Sequence, residues 1–356
     1  MNVFAVPSAE HNDPTHPENA ARIPAVLSAL AADAELSPLV TRPACPELHP
    51  ERSRRIAEGP PATEAQLASV HDPQYIAALR QAMSRAPAII DYAPTYITPH
   101  SFDCAAQAAG AALAAVNSAI TPIPPHPHTS SFALIRPPGH HAPPAQAMGF
   151  CLFNNIALAA RGAQKLGAGQ VMIFDFDVHH GNGTQAAFYA DPSVLFISTH
   201  QSGIYPGTGH AGETGEGGGE GYTINVPLPG GAGDRAFARI MSEIVGPAAD
   251  RFRPDILLVS AGYDAHWRDP LAGLQLSCAG YHALGAALAA TAKKHCGGKL
   301  VFVLEGGYDL LALAGGVVNT MRGALGLPAA DPLGPAPRPE PDISRLLVEL
   351  TSRHSL

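Results

Sequence analysis

Asp175, Asp177, His179 and His180 crowd into one short stretch, DFDVHH, directly after the apolar run VMIF. In extended chain, residues two apart face the same side, so Asp175, Asp177 and His179 can turn toward one ion. Carboxylate oxygen and imidazole nitrogen are good zinc ligands, and a catalytic zinc keeps three protein ligands and one position for water. Asp264, which follows the run ILLV, is available as the third ligand. The competing reading is a solvated turn with chance acids, but such a turn does not normally follow an apolar strand so tightly. His140 and His141 follow FALI and the turn RPPG. Adjacent imidazoles suit hydrolysis of an amide, in which a water must lose a proton and an amine must gain one. Tyr308 stands in EGGY, where glycines let the backbone approach a substrate and present a phenol to a developing oxyanion. Taken singly, a histidine pair or a tyrosine after two glycines is more often structural. Their placement argues otherwise.

That placement comes from five apolar runs that read as buried strands: Phe132–Ile135, Gln170–Phe174, Val194–Ile197, Ile256–Val259 and Leu300–Leu304. The runs are continuous rather than alternating, as expected for a parallel sheet covered on both faces. Helical patterns over Asp103–Ser118, Asn154–Leu166, Asp234–Phe252 and Cys278–Lys294 separate several of them. Strand–helix alternation predicts an α/β fold. Each polar cluster follows a run, and ligands in open α/β sheets bind outside the carboxyl ends of the strands. Ser198 and His200, at the end of the third run, join the same edge.

Composition narrows the classes. The chain has 356 residues, 46% apolar and 15% charged, with net charge −8. This suits a large core and leaves no basic footprint for direct nucleic-acid binding. No stretch reaches the ~20 apolar residues of a membrane span. The start, MNVFAVPSAEHNDPTHPEN, does not read as a signal peptide. Cys45, Cys104, Cys151, Cys278 and Cys296 are scattered and odd in number, which suits reduced thiols and a cytoplasmic protein. The segments 121–129 and 206–221 read as loops, and His126 and His128 in the first as stray histidines. The glycine-rich loop lacks the Lys-Ser/Thr ending of a phosphate loop. Residues 1–326 read as one catalytic domain. Residues 327–356 read as a Pro-rich tail on the same domain, with a short helix from Ile343.

Several motifs together resemble the histone deacetylase and acetylpolyamine amidohydrolase superfamily: HPENAAR (16–22), RPPGHHA (136–142), GFCLFNN (149–155), DFDVHHGNGTQ (175–185), STH (198–200), YPGTG (205–209), SAGYDAHWRDPLAG (260–273) and LEGGYD (304–309). Their wording is similar to the class II and bacterial branch. The resemblance implies the arginase–deacetylase fold, a mainly parallel eight-stranded sheet between helical layers. It implies one zinc ion on Asp177, His179 and Asp264, with His141 as general base and His140 as its electrostatic partner. It implies that Asp175 and Asn182 orient those rings and that Tyr308 polarises the scissile carbonyl. Gly149, Phe150 and Tyr205 would wall a substrate tunnel, with Leu271 at its gate and Gly306 near the acyl pocket. Potassium would sit at Asp175, Asp177, His179, Ser198 and Thr199, and at a second site made by Phe188, Asp191, Val194 and Tyr222. The substrate would be an acylated lysine or an acylated amine.

Two departures leave the substrate open. Ala93-Pro94 stand near where many relatives carry an Asp at the tunnel mouth, and Asp91 is the acid closest by. Leu271 stands where polyamine-selective relatives of the class II branch carry an acid, which argues against that form of polyamine selectivity. Acetylpolyamine hydrolysis remains the alternative. A two-manganese ureohydrolase of the same fold would need further bridging acids. A catalytically silent binder of acyl ligands would not need these residues intact. The mouth loop 87–101 is available to an oligomer interface.

Overall fold

Each of the five apolar runs becomes a strand, and the polar residues behind them gather along one edge of a sheet. The computed structural model describes residues 1–40, 59–121 and 129–356. Cys45, His126 and His128 lie outside the described residues. In chain order the strands are β1 (Asn2–Val6), β2 (Ala88–Ile89), β3 (Tyr96–Ile97), β4 (Ser130–Ile135), β5 (Val171–Asp175), β6 (Val194–Gln201), β7 (Thr223–Leu228), β8 (Ile256–Ala261) and β9 (Leu300–Leu304). The helices are α1 (Arg22–Ala32), α2 (Glu64–Leu67), α3 (Pro73–Ala82), α4 (Ser101–Ile120), α5 (Asn155–Lys165), α6 (Asn182–Phe188), α7 (Asp234–Ile240), α8 (Gly246–Phe252), α9 (Cys278–Cys296), α10 (Leu310–Ala324) and α11 (Ser344–His354).

The main sheet runs β1-β4-β9-β8-β5-β6-β7, and every pairing in it is parallel. This is the arginase–deacetylase architecture with seven strands among the described residues, not the eight expected. The remaining short strands, β2 and β3, pair antiparallel with each other in a sheet of their own. On one edge of the main sheet β7 carries Pro227, which has no N–H to offer a further strand.

Burial on both faces explains the continuous apolar runs. Phe132 and Leu134 of β4 join the core shared with α1, α7, α9 and α10, whereas Ala133 and Ile135 join the core shared with α4 and α5. The second layer is thin because α4 meets the sheet through Ala108, Ala111, Ala112, Ala115 and Ala119. Gly110 serves the opposite side of that helix: a Cβ there would sit 1.9 Å from the Pro60 carbonyl oxygen.

The helix expected over Asp234–Phe252 is present but is not uniform. Met241–Val245 form a wider π-helical turn between α7 and α8. Pro247 follows it and has no N–H to donate, and its ring would crowd the Glu243 carbonyl in a regular helix. The wider turn accommodates both.

The C-terminal segment is tied to this helix. The Glu340 carboxylate accepts hydrogen bonds from the backbone N–H groups of Gly233 (3.0 Å), Arg235 (2.9 Å) and Ala236 (3.0 Å), filling the open N-terminus of α7. Asn319 of α10 exchanges hydrogen bonds with Ala330, and Leu347 and Leu350 of α11 are fully buried in the large core. No helix among the described residues is long and apolar enough to cross a membrane. Replacing Glu340 with Ala strips a charged cap from three donors. It is expected to lower the unfolding free energy by about 1–2 kcal/mol, measured by urea denaturation at neutral pH.

Candidate active site

The turn after β5 is shaped by its own acids. Asp175 Oδ1 accepts the Asp177 N–H at 3.0 Å, and Asp177 Oδ1 accepts the His179 N–H at 2.9 Å. Such side-chain-to-backbone bonds bend an extended chain around a centre. The neighbouring strand ends are stitched to this turn. Gly306, after β9, donates to Asp177 Oδ2 at 2.8 Å, and Val178 donates to Asp264 Oδ1, after β8, at 3.0 Å. His179 Nδ1 thereby lies 3.2 Å from Asp177 Oδ1 and 3.2 Å from Asp264 Oδ2. One ligand atom from each of the three residues falls within 4.8 Å of the others.

This arrangement fits a metal ion. Asp264 Oδ2 is buried and, although close to His179, has no hydrogen-bond partner. A buried, unpartnered carboxylate oxygen is costly unless a cation meets it. The backbone leaves room there. A Cβ on Gly262 would fall 2.1 Å from Asp177 Oδ2, and one on Gly306 would fall 2.1 Å from Asp264 Oδ2. The field also attracts positive charge. Burial alone would lower the His179 pKa, yet the carboxylates of Asp177 and Asp264 lift it to about 10. Asp175, the extra acid a second metal would call upon, instead faces His140 Nδ1 at 3.0 Å.

The two histidines after β4 are electrostatic opposites. Burial disfavours charge on His140, but Asp177 and Asp175 overcome it and raise its pKa to about 10. Burial, together with the charges of His140 and His179, holds His141 well below the usual imidazole value. Their rings lie 4.1 Å apart. His141 Nδ1 is 2.7 Å from Asn182 Oδ1. Since that oxygen only accepts, Nδ1 carries the proton and Nε2 is the basic nitrogen. The turn bearing the pair is held from behind. Glu305 Oε2 accepts the N–H groups of Gly139 (2.6 Å) and His140 (3.1 Å).

Aromatic rings surround the cluster. Tyr205 lies 5.0 Å from the His141 ring and 6.3 Å from the His179 ring, and Phe150 stands edge-on to Tyr308 at 5.9 Å. Gly149 has φ +57°, and a Cβ there would strike the His141 ring at 2.4 Å. Phe150 also has positive φ, +69°, a conformation costly for a bulky residue. Two bonds hold it: Thr95 Oγ1 accepts the Phe150 N–H and Asp91 Oδ2 accepts the Gly149 N–H, both at 2.9 Å. Asp91 thus holds the Gly149–Phe150 backbone through Oδ2. Tyr92, 79% exposed, stacks edge-on to Tyr205, and Leu271 is 38% exposed. Gly306 donates its N–H to Asp177 Oδ2, and its backbone lies against Asp264 Oδ2.

The residues expected to hold monovalent cations are largely engaged with each other. Ser198 and Thr199 are fully buried, and Thr199 Oγ1 donates to the Asp175 carbonyl at 3.1 Å. Asp191 receives Arg161 Nη1 at 2.7 Å and the Ser193 N–H at 2.9 Å. The carbonyls of Phe188 and Tyr222 accept the N–H groups of Asp191 and Phe196, and Val194 donates to the Asp191 carbonyl.

A buried charge cluster that residue pattern alone did not single out backs the site. Glu18 is bound by Arg136 through both carboxylate oxygens, and Arg22 Nη1 lies 3.2 Å from Glu18 Oε1. Arg22 also donates to the carbonyls of Gly307 (2.8 Å) and Glu305 (2.6 Å), with its guanidinium 5.2 Å from the Tyr308 ring centre. Glu18 and Arg22 lie four apart in HPENAAR and Arg136 opens RPPGHHA, but nothing local announces that the two motifs pair.

Comparison with known proteins places this geometry. The family model for the histone deacetylase domain matches residues 16–324. Histone deacetylase 14, chloroplastic, from Arabidopsis thaliana is 46% identical over 336 residues, covering 91% of this chain and 76% of that protein. A probable deacetylase from Archaeoglobus fulgidus is 42% identical over 278 residues, covering 78% and 75%. A histone deacetylase-like amidohydrolase from Pseudomonas aeruginosa is 41% identical over 257 residues, covering 72% and 66%. The crystal structure of the HDA15 HD domain superposes with a TM-score of 0.83 at 33% identity, covering 99% of this chain and 93% of that one.

The Glu18 cluster makes a signed prediction. Burial pushes the Glu18 carboxyl up, but Arg136 and Arg22 hold it down at about 2, against 4.5 when unfolded. Its contribution is therefore complete above pH 4.5 and is lost as pH falls toward about 2. Glu18→Gln leaves two guanidiniums facing a neutral group and is expected to cost about 3–5 kcal/mol at pH 7. The gap between wild type and variant, from urea unfolding across pH, should be constant above pH 4.5 and narrow below it.

Proposed function

The chain belongs to the histone deacetylase family, a family of hydrolases acting on amides, and from that premise we propose that it is a zinc-dependent amidohydrolase removing acyl groups from lysine side chains or small amines. The observation that carries this reading is the joining of an unpartnered buried carboxylate oxygen on Asp264, the Asp177–His179 pair and an uncharged His141 in one cluster beside the Tyr205 ring. Asp177, His179 and Asp264 would hold the zinc. Bound there, the ion supplies a Lewis acid that acidifies a water and polarises a carbonyl. An Asp₂His set also accepts iron(II) or cobalt.

The chain's own groups then have separable tasks. His141, with its proton fixed on Nδ1 by Asn182, takes the proton of the attacking water at Nε2. His140, kept cationic by Asp175 and Asp177, stabilises the negative charge that develops and helps protonate the departing amine. The Tyr308 phenol is held well above its usual pKa, first by burial, and so remains a hydrogen-bond donor for the scissile carbonyl oxygen. Phe150 and Tyr205 exclude water from an extended acyl-amine chain, and Leu271 leaves the mouth without an acid at that point. Asp91, tied to the wall, is poorly placed to grip a peptide backbone through the same oxygen. Acetylated polyamines remain the alternative substrates.

Potassium belongs to this reading through the oxygens around Asp175, Asp177, His179, Ser198 and Thr199. At the second position, around Phe188, Asp191, Val194 and Tyr222, carbonyl oxygens rather than the Arg161-bound Asp191 carboxylate would serve. The cysteines among the described residues are buried and free, which suits a reducing compartment such as the cytoplasm.

His141→Ala is expected to lower kcat by about 10²–10⁴ and Tyr308→Phe by about 10²–10³. The assay would compare acetyl-lysine peptides with acetylputrescine and acetylspermidine on metal-loaded protein. Full rate in either variant would contradict the assigned roles. Elemental analysis should find one divalent metal per chain, lost in Asp264→Ala. Two manganese ions per chain would sink the one-zinc reading.

A further inference from the structure

Asp269 lies in the loop that leaves β8, beyond Asp264, and is 6% exposed. One oxygen reaches the loop after β9, and the other closes a turn within the loop of Asp269 itself. Oδ2 accepts the N–H of Tyr308 at 2.7 Å and that of Asp309 at 3.2 Å, while Oδ1 accepts the N–H of Leu271 at 3.0 Å. One carboxylate therefore joins the segment presenting the phenol to the segment forming the gate.

The Tyr308 segment needs such an anchor. It follows two glycines, and Gly307 has φ +117°, a region of backbone open to glycine and poorly held by any side chain of its own. On one side the backbone is held by Arg22, which donates to the Gly307 carbonyl at 2.8 Å. On the other side Asp269 holds the Tyr308 N–H. This is not helix capping. The N-terminus of α10 is already capped by Asp309, whose Oδ1 accepts the N–H groups of Leu311 and Ala312 at 3.0 and 2.9 Å. The donors bound by Asp269 precede that cap and fix where the loop, not the helix, runs.

We propose that Asp269 is a positioning residue, whose carboxylate sets Tyr308 at the height where its phenol meets the scissile carbonyl and couples that height to the Leu271 gate. This rests on the role given to Tyr308 above. Asn is nearly isosteric but has one acceptor oxygen in place of two. Whichever way it turns, its amide NH₂ opposes either the Tyr308 and Asp309 N–H groups or the Leu271 N–H. A misplacement of about 1 Å in a reacting group can cost about 10²-fold in rate.

The test is a double-mutant cycle on the metal-loaded full chain, with Asp269→Asn, Tyr308→Phe and the double variant assayed on an acetyl-lysine peptide. Asp269→Asn is expected to lower kcat by about 10–100-fold with KM within about threefold. In the Tyr308→Phe background the same change should cost less than about threefold, because no phenol is left to misplace. Bound metal per chain should stay at the wild-type level, as the metal ligands are untouched. The proposal is overturned if Asp269→Asn keeps the wild-type kcat. It is equally overturned if the variant loses the same factor in both backgrounds, or loses bound metal in step with kcat. A wild-type rate in Tyr308→Phe alone would instead defeat the role given to the phenol. Asp269→Ser, which spans neither loop, carries the same expectations should the Asn variant fail to fold.

Discussion

Carboxylates without water are the constraint on which this structure turns. Asp175, Asp177, Asp264 and Glu305 are all buried at one edge of the sheet, where no bulk solvent reaches them. Each must find donors or positive charge, and almost every local contact of the site answers that demand. Asp175 takes His140 and the Asp177 N–H. Asp177 takes the N–H groups of His179 and Gly306. Glu305 takes the Gly139 and His140 N–H groups. Asp264 is the acid left with one oxygen over, and that remainder is where a cation would fit.

Meeting that demand also sorts the two histidines. His140 faces two acids and becomes the cation, whereas His141, buried beside the charged His140, stays neutral. Two identical side chains, adjacent in sequence, acquire opposite chemistry from what lies behind them. Farther back, Glu18 reverses the pattern. There the anion is single and the guanidiniums are two, and Arg22 carries that excess of positive charge to the carbonyls that precede Tyr308.

Strand-end chemistry was legible in the sequence because a parallel sheet buried on both faces writes its strands as unbroken apolar runs. Asp175, Asp177, Asp264, His140 and Tyr308 each follow such a run. Strands without that signature were not legible. β7 carries the buried polar Asn225 and Pro227, and β1 is five residues at the start of the chain. The strand count of eight came with the resemblance and not from any run, and the sheet has seven among the described residues. Long-range pairing was likewise hidden. Glu18 and Arg136 stand 118 residues apart, and no periodicity links them. The bond from Gly149 to Asp91 and the positive φ of Phe150 beside it were likewise unannounced by any local pattern.

The position of β9 in the sheet bears on how the catalytic edge comes into being. β9 lies between β4 and β8, so without it the sheet is two separate pieces, β1–β4 and β8–β5–β6–β7. During synthesis His140 emerges 165 residues ahead of Glu305, whose carboxylate fixes its backbone. Asp177, His179 and Asp264 are all made before β9, but the half that bears the histidine pair stays unattached to theirs until that strand arrives. Contacts of such sequence separation form slowly. The residues that could hold a cation therefore precede, in synthesis, the strand that joins them to the histidine pair.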